Sequence, residues 1–467
     1  MNYQEFLARK SILASPCGFQ VSQQELNGSA FFWQRDIVAW ALKKGRCALF
    51  EDCGLGKTLQ QLLFAGQVVK HTGKPVMIFA PLAVVPQTVA EGEKFGESVV
   101  SVRYREEICT PGVYITNYEI AERFNLDGFG GVVLDESSIL KDFSSKTRDL
   151  LTRLCRKVPY RLCCTATPSP NDYTELGNHA EFLGVMTRAE MLATFFVHDG
   201  GDTSKWRLKG HAKDAFFSWV ASWACCMTDP SDLGYPVDGY KLPPLKIVEH
   251  VVKSDRLEDG EGQLMLFAPV VQTLSERRTA RRDSLQRRVE LAATISNSIK
   301  DQVLIWCDLN DESSELAKQI NGAVEVRGSD APEHKAAVMQ DFALGKIRCL
   351  VSKPSIAGWG MNWQQCHEMV FVGLSDSFES YYQAVRRCWR FGQEKDVTVH
   401  IITSEAEGAV KANIERKQAD AQAMTQQLVK YTKSILQADI RSTRRMVHTY
   451  TAKETMRLPA WIGGTAA

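Results

Sequence analysis

Residues 47–70 read CALFEDCGLGKTLQQLLFAGQVVK, and their order decides the fold class. Cys47-Phe50 is a short, continuous apolar run, the pattern of a strand buried on both faces. Gly54 and Gly56 then punctuate the chain, and Lys57-Lys70 follows with helical apolar spacing. Strand, tight glycine turn and helix start form a cradle for an anion. Backbone N–H groups and the positive helix end face it, and the missing side chains allow close approach. In such a cradle Lys57 would reach β- and γ-phosphates, and the Thr58 hydroxyl would ligate Mg²⁺. The strict G-x-x-x-x-G-K-[ST] pattern asks for glycine where Glu51 stands, so on this stretch alone an ordinary loop stays open as the alternative.

A second stretch narrows that choice. Val132-Val133-Leu134-Asp135-Glu136 is a buried strand ending in two acids, which puts carboxylates at the carboxyl edge of a parallel sheet, where ligands of such folds bind. Asp135 suits Mg²⁺, and Glu136 suits orienting and deprotonating a water. Together the two stretches imply a site that hydrolyses ATP with Mg²⁺.

Working outward, apolar strands alternate with helical patterns twice over. Cys47-Phe50, Val76-Ala80, Val113-Thr116, Val132-Asp135 and Arg161-Thr165 form the first run, with helices such as Lys57-Lys70 and Ser144-Lys157 between them. Val303-Cys307, Val324-Val326, Arg348-Ser352, Met369-Gly373 and Val397-Ile402 form the second. The expectation is an α/β protein of two lobes, each a parallel sheet flanked by helices, with the nucleotide cleft between them. Residues 228–246 are rich in Pro, Gly and Asp and read as a linker and hinge. The lobes are then 1–227 and 247–467. Ala215-Met227 reads as a helix on the first lobe, Glu407-Ala438 as a helix closing the second, and the tail beyond Leu458 as frayed.

The 467 residues are 44% hydrophobic with a formal net charge of +1, which excludes a wholly disordered or uniformly basic chain. Nucleic-acid contact must then come from local patches. Residues 411–467, with 10 Lys and Arg against 4 Asp and Glu, are one candidate, and Arg277, Arg278, Arg281, Arg282, Arg287 and Arg288 are another. Solvated helix faces are the alternative for both. Trp206, Trp219 and Trp223 read as core. No apolar run is long enough to cross a bilayer and the N-terminus has no apolar signal core, so a cytoplasmic protein is expected. None of the thirteen cysteines falls in a C-x-x-C pair, so reduced thiols rather than zinc ligands are expected.

In the second half, Glu379-Arg390 reads as a helix carrying Gln383, Arg387 and Arg390 on one face. Two guanidiniums so aligned can clamp a γ-phosphate and neutralise transition-state charge.

Here the pattern resembles the superfamily 2 helicases, and within them the SWI/SNF-type translocases of double-stranded DNA. The residues that carry this are Asp52-x-Gly54-Leu55-Gly56-Lys57-Thr58 and Gln383-Ala384-x-x-Arg387-Cys388-x-Arg390-x-Gly392-Gln393. Trp33-Gln34 resembles the adenine-reading glutamine motif, Ala80-Pro81-Leu82 motif Ia, and Ile115-Thr116-Asn117-Tyr118-Glu119 motif Ib. Thr165-Ala166-Thr167-Pro168 with Asn171 looks like motif III, Leu242-Pro243-Pro244 like the entry to the second lobe, and Ala357-Gly358-Trp359-Gly360-Met361-Asn362 like motif V. The resemblance spans about residues 30 to 400 and is nearest to compact helicase-like proteins of bacteriophages and prophages. For a phage-encoded chain the compartment would be the bacterial host cytoplasm.

The resemblance implies two RecA-like lobes with Gln34, Gly54, Gly56, Lys57, Thr58, Gly358, Gly360 and Gln383 on the nucleotide. Thr58 and Asp135 would hold the metal, Lys57, Asp135, Glu136, Arg387 and Arg390 would carry catalysis, and Thr165 and Thr167 would couple it to movement. Pro81, Thr116, Asn117, Ser329 and Asn362 would contact a nucleic-acid backbone, with short hydroxyls and amides suited to phosphates rather than bases. The implied activity is DNA-stimulated ATP hydrolysis driving a monomer along duplex DNA and remodelling DNA or protein–DNA complexes. Strand separation, or a weakly active nucleic-acid-binding scaffold, are the alternatives. Three departures stand out: Ser138 replaces a histidine that helps link hydrolysis to motifs III and VI, Ala357 replaces a glycine, and Trp389 stands where a histidine precedes Arg390.

Overall fold

Among the described residues, two parallel sheets of seven and six strands organise the protein. The computed structural model describes residues 13–444, apart from 143, 170–171, 200–201, 238–241, 253–283, 358–360, 376 and 405–407. The first sheet holds β1 (Arg46–Glu51), β2 (Val76–Ala80), β3 (Val99–Ser101), β4 (Val113–Asn117), β5 (Gly131–Asp135), β6 (Tyr160–Cys164) and, after a hairpin of β7 (Phe196–Asp199) and β8 (Asp202–Leu208), β9 (Ala224–Met227). Its order is β3-β4-β2-β5-β6-β1-β9. Every neighbouring pair runs parallel. The inner strands β2 and β5 are apolar and fully buried, and β1, β4 and β6 nearly so, because helices cover both faces. Trp40, Phe64 and Leu63 pack on one side, and Phe79, Phe182, Trp219 and Trp223 on the other.

The second sheet holds β10 (Leu245–Val252), β11 (Val303–Cys307), β12 (Ala323–Glu325), β13 (Cys349–Ser352), β14 (Glu368–Val372) and β15 (Val397–Ser404), in the order β10-β15-β14-β11-β13-β12. Its pairs are parallel too. Both sheets are RecA-like, and each turns its carboxyl edge, with the loops that follow the strands, toward binding work.

Four expectations need correction. Ala215–Met227 is not one helix: the helix Lys213–Ala221 gives way to β9, which pairs with β1 beside the glycine loop. The segment after it is less loose than its composition suggests. Asp229 caps the turn Pro230–Leu233, and the Tyr235 hydroxyl donates to Asp36 at 2.6 Å. The closing helix, Gly408–Arg444, packs mainly on the first lobe rather than on the second, where chain order puts it. Leu428, Val429, Leu436 and Ile440 bury against that lobe, and Asp439 accepts from the Trp40 indole at 3.0 Å and pairs with Lys44 at 2.7 Å. Finally, Arg288 is no surface cation. It is fully buried, paired with Glu312 at 2.6 Å and bonded to the Val372 carbonyl.

Of the other basic candidates, Arg287 is exposed, while Arg277, Arg278, Arg281, Arg282 and the tail beyond Leu458 lie outside the described residues. Trp219 and Trp223 are core, and Trp206 is half-buried, its ring tilted against that of His198. All thirteen cysteines are free thiols.

Candidate nucleotide and nucleic-acid site

The glycine loop leaves the end of β1 as expected. Gly54 and Gly56 adopt φ of 88° and 73°, which only glycine takes without strain, and Gly56 caps the helix Lys57–Thr72. A Cβ on Gly56 would sit 2.4 Å from the Gln34 amide nitrogen, so the glutamine packs directly on the loop. Gln34 is buried; its amide donates to the Leu55 carbonyl at 3.0 Å and its oxygen accepts from the Phe31 N–H. The Lys57 ammonium donates to the carbonyls of Glu51 (2.8 Å) and Asp52 (3.0 Å), directly beneath the loop. Glu51, where the strict pattern wants glycine, is fully buried and accepts from Gln60 at 2.7 Å. Burial pushes its carboxyl up to about 7, against the pull of Lys57.

The acid pair lies two strands away, at the end of β5. Gln61 of the Lys57–Thr72 helix donates to Asp135 at 2.7 Å, fixing the distance between glycine loop and acid. Tyr118 donates to the Asp135 carbonyl at 2.6 Å. Glu136 has φ 51° and ψ 53°, the one left-handed non-glycine residue among those described. Such a conformation costs about 1–3 kcal/mol and persists where the surroundings hold it. Its Oε2 is buried with no hydrogen-bond partner. Burial, then the neighbouring Asp135, raises the Glu136 carboxyl, while Lys57 and Arg387 pull it down. Burial likewise raises Asp135.

The second lobe faces this site through the segment after β14. The helix there ends at Val385, so Arg387 and Arg390 do not share a helix face with Gln383. A turn brings them together instead: both guanidiniums donate to the Met361 carbonyl at 3.3 Å. Arg387 is buried, and its charge acts on Glu136, Cys53 and Asp135; Arg390 acts on Cys53. Gln393 knits the turn down by donating to the carbonyls of Cys366 (2.9 Å) and Cys388 (3.3 Å). Gln383 is buried, with both amide atoms lacking a hydrogen-bond partner.

Thr58 is half-buried at the helix start, and its hydroxyl and the Asp135 carboxylate supply hard oxygens at one end of the cleft. Mg²⁺ takes one or two protein oxygens plus phosphates and waters, and the unpartnered Glu136 oxygen adds a buried acceptor there. The residues therefore fit that ion.

Pro81, Thr116 and Asn117 follow β2 and end β4, on the same carboxyl edge. Thr116 Oγ1, Asn117 Oδ1 and Asn362 Oδ1 are buried without partners, whereas Ser329 lies exposed on a turn after β12. The Thr167 N–H donates to the Thr165 hydroxyl at 3.1 Å. Gly358, Gly360 and Asn171 lie outside the described residues.

Sequence reasoning missed four contacts across the cleft. Arg386 and Tyr382 both donate to Asp52 in the glycine loop, and Glu379 accepts from Thr167 and Lys141. Read as a helix, position 386 falls off the 383–387–390 face, which hid it; the turn re-aims it. Gln61 was missed as well; its signal is a polar residue at a helical position four after Lys57.

A sequence profile of the SNF2-related domain matches residues 33–195, and one of the helicase conserved C-terminal domain matches residues 285–392. Among curated relatives, the Zorya protein ZorD of Escherichia coli O139:H28 is 21% identical over 79% of this chain and 42% of its own length. The uncharacterized ATP-dependent helicase YqhH of Bacillus subtilis is 22% identical over 76% of this chain and 72% of its own. The chain thus spans less than half of the first relative. A solved SWI2/SNF2 ATPase core of Sulfolobus solfataricus in complex with dsDNA aligns over 91% of this chain and 97% of its own, with 17% identity and a TM-score of 0.42. The two domain profiles match in order, one on each lobe, and support a nucleic-acid-dependent ATPase of the helicase type. These similarities support a superfamily 2 helicase of the SWI/SNF type. No helix among the described residues is long and apolar enough to cross a membrane.

Proposed function

We propose that this chain uses ATP hydrolysis to translocate on double-stranded DNA and thereby remodels DNA or the proteins on it. The observation that carries the reading is Arg387. It belongs to the second lobe, next to Arg386, which donates to Asp52 of the glycine loop, and its charge reaches Glu136 and Asp135 of the first; this supports a hydrolysis site completed only when the lobes meet. In this reading residues 1–227 and 247–467 are the two halves of the motor and 228–246 is the hinge, with the closing helix of the second half reaching back onto the first.

The triphosphate lies on the loop 51–58, with Lys57 moving from the Glu51 and Asp52 carbonyls onto the β- and γ-phosphates. Thr58 and Asp135 would hold Mg²⁺, which would supply charge neutralisation for the phosphates. Glu136 orients a water and takes its proton as the water oxygen attacks the γ-phosphorus and the bond to the ADP oxygen breaks. Arg387 and Arg390 neutralise the charge that spreads over the γ-oxygens, which stabilises the transition state without reorganisation. Lobes drawn together over ATP and released after hydrolysis then ratchet along a backbone held by Pro81, Thr116, Asn117 and Asn362.

ATP turnover measured with no polymer, single strands, duplex DNA and RNA tests this, paired with triplex displacement and strand-unwinding assays. Duplex-stimulated turnover and triplex displacement, both lost in Lys57→Ala and Arg390→Ala, are expected. Equal turnover under all four conditions would overturn the motor.

A further inference from the structure

We propose that Glu379 is a positioning residue that ties the hydrolysis site to engagement of the lobes, filling the linking part left vacant at Ser138. The inference rests on the motor reading and names how its two halves communicate.

Glu379 lies on the second-lobe helix Phe378–Val385, which leads directly into Arg386, Arg387 and Arg390. The residue is 5% exposed, and its carboxylate reaches into the first lobe. There Oε1 accepts from the Thr167 hydroxyl at 3.1 Å, and Oε2 pairs with the Lys141 ammonium. Both partners are anchored to the strand ends that frame the site. Lys141 closes the turn Ser137–Leu140 directly after Glu136, and its backbone carbonyl is fixed by the Asn178 amide at 2.8 Å. Thr167 follows β6 and is held through its N–H by Thr165. One carboxylate therefore joins three segments: the one after the acid pair, the one after β6, and the helix that delivers the arginines.

The residue at the expected linking position does none of this. The Ser138 hydroxyl is buried with no hydrogen-bond partner. Three residues on, Lys141 makes the cross-lobe contact instead.

The arrangement has an energetic consequence. A carboxylate removed from water is costly unless paired and hydrogen-bonded, and here both partners come from the opposite lobe. The buried position of Glu379 is therefore favourable only while the lobes touch, so the clasp rewards the same engagement that brings Arg387 to Glu136.

The test uses the full chain with Glu379→Gln, Lys141→Met and the reversal Lys141→Glu/Glu379→Lys, in which the new lysine can still donate to Thr167. Turnover at saturating ATP is measured with and without duplex DNA, alongside KM for ATP and thermal unfolding. The single variants are expected to keep KM and the unfolding temperature while the duplex-stimulated kcat falls by about tenfold. The reversal is expected to recover most of it. Wild-type stimulation in Glu379→Gln would overturn the proposal, as would losses that track a lower unfolding temperature and are not rescued by reversal. A wild-type protein that no nucleic acid stimulates would instead overturn the motor reading on which it rests.

Discussion

Arg386 of the second lobe forms an ion pair with Asp52 inside the glycine loop of the first, and Tyr382 donates to the same carboxylate. The Arg386 and Asp52 side chains are 6% and 16% exposed, so little water screens the pair. Burial, then Arg390 nearby, lowers the Arg386 guanidinium to about 10. The loop that would receive a polyphosphate thus carries its own negative charge, held in check by a cation from the opposite lobe.

That relationship predicts an asymmetric pair of variants. Arg386→Ala leaves Asp52 uncompensated beside the triphosphate, so KM for ATP should rise by about tenfold, or ~1.4 kcal/mol. Asp52→Asn removes the repulsion and should leave KM near or below the wild-type value. The double variant should lie close to Asp52→Asn, a coupling that ATP titrations of the four proteins measure directly.

Much of this was legible beforehand, and the failures have physical causes. Continuous apolar runs at β1, β2, β4, β5 and β11 announce themselves because both faces of a parallel strand are buried. Three edge strands did not. β3 has only three residues, Val99–Ser101; β10 mixes Glu249 and His250 into its apolar run; and β9 follows an aromatic helix without a turn signal. The glycine loop and acid pair could be read because each needs special chemistry within a few adjacent residues. The cross-lobe contacts of Asp52 and Glu379 could not, because they depend on where the helix after β14 stops and how two lobes meet.

Glu136 offers a pH test. Burial and Asp135 hold its carboxyl above the usual range, and a base must be unprotonated, so kcat should climb with pH through an apparent value above 4.5. Arg387 pulls that value down, so Arg387→Met should move the acid limb to higher pH as well as lowering kcat. Glu136→Gln should abolish the limb and reduce kcat by roughly a hundredfold or more while ATP still binds. A pH series of kcat on the three proteins checks both.

Glu51 makes a stability prediction. Its carboxyl rises from 4.5 to about 7 in the folded protein, so the folded state holds a proton that the unfolded state releases. Where the folded pKa is the higher one, that contribution is full below 4.5 and is lost as pH rises through about 7. Glu51→Gln keeps an amide at the site and removes the titration. Thermal unfolding should therefore show the variant gaining on the wild type at pH ~8 but not at pH ~4.5, in the range where the proton is lost.

Arg288 separates a core role from a nucleic-acid role. As a duplex-tracking cation its loss would reduce the slope of binding against salt and leave the fold alone. Fully buried and paired with Glu312 at 2.6 Å, it should behave in the opposite way. Arg288→Ala strands the Glu312 carboxylate inside the second lobe, where a broken buried pair costs about 3–5 kcal/mol. Replacing both partners, as Arg288→Met/Glu312→Leu, removes both charges together and should recover much of that loss. Denaturant unfolding of the two variants measures the difference. The double variant's DNA affinity, followed over a salt series, should keep the wild-type slope, because the charge that Arg288 carries is spent entirely within the core.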